Sequence, residues 1–490
     1  MKWKNCGWLL VAVIFWSGCQ KELIFQKGQI NDINFSVDTL LFDTVFTELG
    51  SATYFFKVYN TTNNPISIDK IELENGNLSS FRLNIDGIPA KILENVEILP
   101  KDSIYIFAEV TINPDAPLSV SPFILEENLI FKMGMDQKKV LLQAWGQNAN
   151  YFPSRFNKGV PVVLSCNNGE LIWDNPKPYV IYGEIFIDNC TLKIPAGTKI
   201  YVHGGIARND VFGVFNDGII YVLEKGRLLI EGNYENPVII EGDRLEPSFS
   251  ESPGQWLGII LGKGSKGNKI SHATIKNSIF GVYVDSAAVL NTDNTKFYNT
   301  TSSGIIGFRS TIKADNCLIH SNFSTSVNLV FGGNYDFNHC TMGSYGVDAD
   351  AISLTNFFCY DDPLICNSRR DFRLIANFRN CIIAGSRKDE IRMADISNGS
   401  DPLLFRVKFS NSAIKGEEVF QKSLYFEDCV QIKNDDKLFL NINEKDFGLD
   451  TNSVAIGIGK TIPGNLLVLK DLDGKERKRE TPDAGCYEFE

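Results

Sequence analysis

At 490 residues the chain is too long for one ordinary hydrophobic core and has room for two or three domains. Its 43% hydrophobic and 22% charged residues exclude wholesale disorder. A formal net charge of −11 without a basic stripe lacks the electrostatic footprint of a phosphate binder, so no nucleic-acid partner is expected. One short run, Lys475 to Arg479, is locally basic and reads as a solvated turn.

The N-terminus reads as an export signal. Lys2 and Lys4 supply a positive start, and Gly7 to Trp16 an apolar stretch too short to cross a bilayer comfortably. Ser17-Gly18-Cys19 follows. Small residues before a cysteine at this place resemble the lipobox of bacterial lipoproteins, with Trp16 where Leu is usual. The resemblance implies a signal peptide over residues 1–18, cleavage before Cys19 and lipidation of Cys19. The plainer alternative is an ordinary signal peptide followed by an incidental cysteine. Two or three acyl chains hold a protein firmly, because each buried methylene contributes about 0.8 kcal/mol. The expected location is the outer membrane, at the cell surface or its periplasmic face. Acidic residues soon after the cysteine would favour surface display, and Gln20-Lys21-Glu22 supplies one.

Residues 19–33 read as a polar tether. From residue 34 to 148 the pattern is short strands, clearest at Phe42–Phe46, Tyr54–Tyr59, Ile104–Val110 and Val140–Ala144. Turn signals separate them: Asn63-Asn64-Pro65, Asn75-Gly76, Asp86-Gly87 and Asn113-Pro114. Such spacing predicts an antiparallel β-sandwich. Phe42–Phe46, Gly50-Ser51, Phe81-Arg82-Leu83-Asn84 and Asp102-Ser103-Ile104-Tyr105 resemble immunoglobulin-like modules of Bacteroidetes lipoproteins, which implies a spacer.

Beyond residue 148 a repeat takes over. A small residue is followed two places later by a large apolar one: Cys190/Leu192, Ala273/Ile275, Thr295/Phe297, Cys317/Ile319, Cys340/Met342, Cys381/Ile383 and Ser412/Ile414. From Ile275 to Met342 the spacing is 22, 22 and 23 residues, the length of one coil of a parallel β-helix. Residues two apart on a strand face the same side, so both members of each pair point inward and stack on their equivalents one coil away. Asn or His precedes each small residue, at Asn189, His272, Asn294, Asn316, His339, Asn380 and Asn411. Asn tolerates the left-handed conformation of a tight corner, and repeated corners predict ladders of stacked amides. Longer gaps later in the chain predict looped-out segments such as Tyr345 to Asp371. A leucine-rich repeat would need an LxxL frame, which is missing.

Ile194-Pro195-Ala196-Gly197-Thr198-Lys199-Ile200-Tyr201-Val202-His203-Gly204, Gly242-Asp243-Arg244 and Pro253-Gly254-Gln255-Trp256-Leu257-Gly258-Ile259 resemble β-helix lipoproteins of Bacteroidetes in the pectin-lyase-like superfamily. The C-terminal Asp471-Leu472-Asp473-Gly474 and Thr481–Phe489 resemble the closing hairpin of such surface proteins, with Cys486 where a small residue is usual. The resemblance implies an all-β chain: a right-handed parallel β-helix over 149–460, preceded by the immunoglobulin-like sandwich and closed by a hairpin over 461–490. It implies no activity, because most members of that group have none assigned.

A pectate-lyase-like enzyme needs a base and a cation to neutralise the substrate acid. Asp243-Arg244-Leu245-Glu246, Arg369-Arg370-Asp371-Phe372-Arg373 and Arg387-Lys388-Asp389-Glu390-Ile391-Arg392 each place acid and base together. None repeats acids at coil spacing, so no calcium site is expected, and Asp243-Arg244 reads better as an ion pair locking a loop. A hydrolase needs two carboxylates on one coil; Asp361-Asp362 and Asp435-Asp436 sit in turns. Asp471-Leu472-Asp473-Gly474 would place Pro482 where a calcium loop needs Glu, so it reads as a β-turn. Among eleven cysteines there is no CxxC, and only four His occur, so no metal and no cofactor are expected. Cys317, Cys340 and Cys381 read as an inward stack of free thiols; Cys359 and Cys366 lie together in the looped-out segment, and the sequence leaves open whether they form a disulfide. The expected function is a non-catalytic, membrane-anchored envelope protein contacting glycan or protein partners. The alternative is a polysaccharide lyase or glycoside hydrolase acting on acidic polysaccharide; catalytic residues are not identified.

Overall fold

The computed structural model describes residues 25–46, 51, 53–112, 123–152, 161–166, 169–209, 213–246, 249–361, 366–397, 399–421, 423–465 and 468–489. The expected signal peptide, Cys19, most of the tether, Pro114 and Asp362-Pro363 lie outside them. The described residues form strands and a few 3-10 turns, with no α-helix. Two compact units divide at Asn148 and Ala149.

In the first unit alternation decides which face of each strand is buried. Along Ser103–Val110, Ile104, Ile106, Ala108 and Val110 are buried while Tyr105 and Phe107 face out. A six-stranded and a five-stranded sheet contribute to one core, built around Phe42, Phe56, Phe81 and Phe131. Pairing is antiparallel except where Gln26-Lys27 joins Ile66-Ser67 and where Thr39–Phe46 joins Leu141–Gln147.

The second unit is a parallel β solenoid of three long sheets. The first has eleven strands, from Asn150–Phe152 to Val430–Ile432. The second has nine, from Val162–Leu164 to Ile391–Ala394. The third has ten, from Glu170–Ile172 to Phe426-Glu427. Register aligns Ile275 with Phe297, Phe297 with Ile319, Ile319 with Met342, Met342 with Ile383 and Ile383 with Ile414. All six are fully buried, as the repeat requires. On the third sheet Phe337, Phe378, Phe409 and Phe426 stack likewise, with ring centroids 5.1, 4.8 and 5.2 Å apart.

The predicted corners are left-handed: Asn189, His272, Asn294, Asn316, His339, Asn380 and Asn411 have φ between 48° and 53°. The amide ladder is realised in pieces. Asn316 Nδ2 donates to Asn294 Oδ1 at 3.2 Å, and Asn380 Nδ2 lies 2.9 Å from His339 Nε2. Asn316 Nδ2 also donates to the Lys470 carbonyl (2.6 Å), and Asn380 exchanges bonds of 2.8 and 2.9 Å with the Lys460 backbone.

Three details differ from the sequence reading. Cys190/Leu192 belongs to the third sheet, where Leu192 pairs with Leu171 and Leu228, while the other six pairs belong to the first. Each sheet boundary can carry its own left-handed corner, so Asn189 marks a different edge of the coil; Cys190 is moreover bonded to Cys166. Within Tyr345 to Asp371, Ile352–Thr355 is a regular strand of the second sheet, and the Phe357–Cys359/Arg369–Asp371 hairpin departs from the coil, with Cys359 and Cys366 forming a disulfide. Residues 461–490 hold one antiparallel bridge, Lys470 with Glu476, and no strand among the described residues. They lie along the outer side of the first sheet, where Leu472, Ala484 and Cys486 share a core with Leu318, Ile382 and Ala413.

Candidate functional site

One residue beyond each inward side chain of the first sheet is an outward one, so the repeat that stacks the core also builds a row outside it. Tyr201 pairs in register with Glu241, Lys276 with Tyr298, and Tyr298 with His320. Lys276 Nζ lies 3.0 Å from both Glu241 and Glu251 and so joins the two coils. Glu251 also pairs with Lys445 and accepts from Asn299 Nδ2 at 2.6 Å. Lys445 Nζ donates to Asn299 Oδ1 at 3.0 Å. The Tyr298 and His320 rings stack 4.9 Å apart, and Phe447 covers His320 at 4.6 Å. Above this row is a cleft of about 430 Å³, lined by Glu251, Lys296, Tyr298, His320, Lys445 and Tyr487 among others.

The electrostatics of the row suit holding rather than proton transfer. Burial works against the Lys276 ammonium, but Tyr298, Glu241 and Glu251 overcome it and raise its pKa above the ordinary lysine value. Burial would likewise raise Glu251, but Lys445 and Lys276 overcome it and lower its pKa. Burial pushes His320 down to about 3, so its imidazole is neutral, with Nδ1 at 2.9 Å from Ser321 Oγ. Burial also raises Tyr298, which remains a neutral phenol. A general base works best with a pKa near the working pH, and these four groups are all displaced from it.

The acids and bases singled out from the sequence are engaged in structural contacts. Asp243 does not pair with Arg244: its Oδ2 is 2.6 Å from His203 Nδ1, while Arg244 Nε binds Glu246 at 2.8 Å and its guanidinium lies 4.0 Å over the Phe249 ring. Asp243 and Arg244 follow the end of the strand Val238–Gly242, and Asp243 falls one coil from His203, whose neighbour Val202 is in register with Gly242. Arg369 binds Asp371 at 3.2 Å within the exposed hairpin. Arg387 binds Asp350 at 3.5 Å. Glu390, raised by burial, accepts from Ser344 Oγ and from the Arg387 and Ala351 amides, so it locks a loop. Asp389 accepts from the amides of Glu417 and Val419. Asp361 caps the amides of Asn367 and Ser368, and Asp436 that of Lys433. Asp471 Oδ1 accepts from the amides of Asp473 and Lys475 at 3.0 and 2.8 Å, as a turn and not a cation loop requires.

Sequence reasoning misses Lys276, Tyr298 and His320 although they recur at the coil spacing, because the small–large pattern reports only inward positions. Glu251 and Lys445 lie in non-repeating segments and carry no such signal.

Cys317, Cys340 and Cys381 are buried free thiols in consecutive coils, and burial pushes the Cys340 thiol up. A thiolate is the reactive form. A thiol reagent should therefore leave these three unlabelled in the native protein and label them after denaturation; rapid native labelling would refute the stack.

No family model matches the chain. No curated protein matches it either. Among solved structures, a Porphyromonas gingivalis W83 protein of unknown function is 15% identical with a TM-score of 0.18; the match covers 29% of this chain and 58% of that one. A family 123 glycoside hydrolase from Clostridium perfringens is 11% identical, with a TM-score of 0.19 and 26% of each chain covered. The catalytic unit of a GH87 alpha-1,3-glucanase from Streptomyces thermodiastaticus strain HF3-3 is 10% identical, with a TM-score of 0.30, covering 77% of this chain and 75% of that one. The chain thus spans just over half the length of the first and about a quarter of the second.

Proposed function

We propose that this chain is an outer-membrane lipoprotein, anchored through Cys19, whose right-handed parallel β-helix is a non-catalytic scaffold for glycan or protein partners and whose immunoglobulin-like module is a spacer. Solenoids present long binding faces of this kind. The observation that carries the reading is the charge pairing in the cleft: Lys276 and Lys445 are already neutralised by Glu241 and Glu251, and His320 is neutral. Lys296, within the same cleft, has no carboxylate within ion-pair distance among the described residues; its ammonium lies 6.0 Å from the centre of the Tyr487 ring, and it is the cleft cation left to meet a ligand.

The second reading, a lyase or hydrolase of acidic polysaccharide, is favoured by one observation: acids and lysines from different coils do converge on one face. A glycan array with the full chain, run beside lyase and reducing-end assays on acidic polysaccharides, separates the two. Glycan capture without an unsaturated product is expected, and Lys296→Ala should weaken capture about tenfold, the worth of one hydrogen bond to a charged group. Growth of unsaturated product would establish a lyase instead, and growth of reducing ends without it a hydrolase.

The anchor has its own test. Cells fed a labelled fatty acid should transfer the label to the wild-type chain and not to Cys19→Ala. Equal labelling of both places the acyl group elsewhere.

A further inference from the structure

The five-stranded sheet of the first unit leaves an aromatic face uncovered. Phe55 and Tyr59 point out from Tyr54–Asn60, and Tyr105 and Phe107 from Ser103–Val110, with relative exposures of 54, 38, 38 and 36%. The strands hold them together: Phe55 is in register with Phe107, and Lys57 with Tyr105. Phe55 lies 5.5 Å from Tyr105 and 5.7 Å from Phe107, ring to ring. Lys57 Nζ sits 4.5 Å over the Tyr105 ring, and at the far side Arg82 pairs with Glu109 at 3.6 Å. Soluble proteins seldom leave such a contiguous aromatic cluster open without a partner.

We propose that this face rests on the bilayer surface. The proposal depends on the lipoprotein reading, because the tether limits where the face can be. Gln26, which begins the first strand, is seven residues after Cys19, a span of at most about 25 Å when fully extended. That strand is at the edge of the six-stranded sheet; the chain then crosses to the five-stranded sheet at its edge strand Ile33–Phe35, where Asn34 is in register with Tyr59. Ile33, fourteen residues after Cys19, is at most about 50 Å of chain from an acyl group there, so the anchor keeps the edge of this sheet close to the membrane. Aromatic rings with polar tips, beside a lysine whose stem lies along them, suit the boundary between headgroups and acyl chains.

The test uses the mature chain from Gln20 onward, made without leader or acyl group, which retains every described residue. Vesicles of phosphatidylethanolamine with a minor share of phosphatidylglycerol are the probe. The chain should sediment with them, and Phe55→Asp with Phe107→Asp should lower the partition coefficient about tenfold or more. Hydrogen exchange of the unsubstituted chain should slow over residues 54–60 and 103–110 when vesicles are added, which does not depend on the variant folding. A chain that stays in the supernatant at all lipid concentrations overturns the proposal, as does slowed exchange without vesicles at raised protein concentration, the mark of a second copy on this face. Acylation of Cys19 is read separately from the labelled fatty acid, so failure of the anchor and failure of the face are distinguishable.

Discussion

Phe297→Ala is expected to lower the unfolding free energy by about 3–5 kcal/mol, through lost burial and an unfilled cavity. The ring is fully buried, held in register between Ile275 and Ile319. Across the interior it faces Gly281 and Gly304, where an added Cβ would come within 3.0 and 3.3 Å of it. Backbone on that side cannot grow inward to fill the space. Tyr298, one residue on, faces outward as the period-2 phase requires, but it is not a solvated position. It stacks on His320 and lies between Lys276 and Lys445, so Tyr298→Ala should forfeit an aromatic pair worth about 0.5–1.5 kcal/mol beyond its buried area and still cost less than Phe297→Ala. Urea unfolding of the two variants side by side decides it. Equal losses would mean a register displaced by one residue, and no loss from Phe297→Ala would mean that its stack is not the core.

Arg477→Met should also cost about 3–5 kcal/mol, because removing one member of a buried pair strands the other. The Arg477 and Glu488 side chains are 3% and 4% exposed and 3.1 Å apart. Arg477 also donates to Asn316 Oδ1 at 2.8 Å and to the Gly485 carbonyl at 2.9 Å, tying the C-terminal segment to a left-handed corner of the solenoid. Glu488 would keep its bonds from the amides of Lys478 and Asp483 but lose its only cation within 4.0 Å among the described residues. Adding Glu488→Gln should recover part of the loss, since two residues of one network are not additive. Hydrogen exchange should locate the damage: residues 468–489 lose protection first, while Phe297 and its neighbours keep theirs. Unchanged protection in that segment would show that the pair does not hold it.

What was legible in the sequence is what repeats. The 22- and 23-residue spacing, the small–large pairs and the Asn or His before them determined the solenoid, its inward register and its left-handed corners. A parallel coil returns each position about 4.8 Å from its equivalent, so one local pattern specifies a long-range contact. The aromatic face of the first unit is likewise implicit in the alternation of Ser103–Val110.

Tertiary structure decided what does not repeat. Cys190 and Leu192 carry the same local signal as Cys317 and Ile319, and only strand pairing places them on a different sheet. Asp243 chose His203, one coil away, over the adjacent Arg244. The cleft depends on Glu251 and Lys445, which are 194 residues apart in segments outside the repeat. No periodicity relates such residues. They meet because the C-terminal segment doubles back over the first sheet, and burial there of Leu472, Ala484 and Cys486, with Arg477 anchored to Asn316, holds it in place.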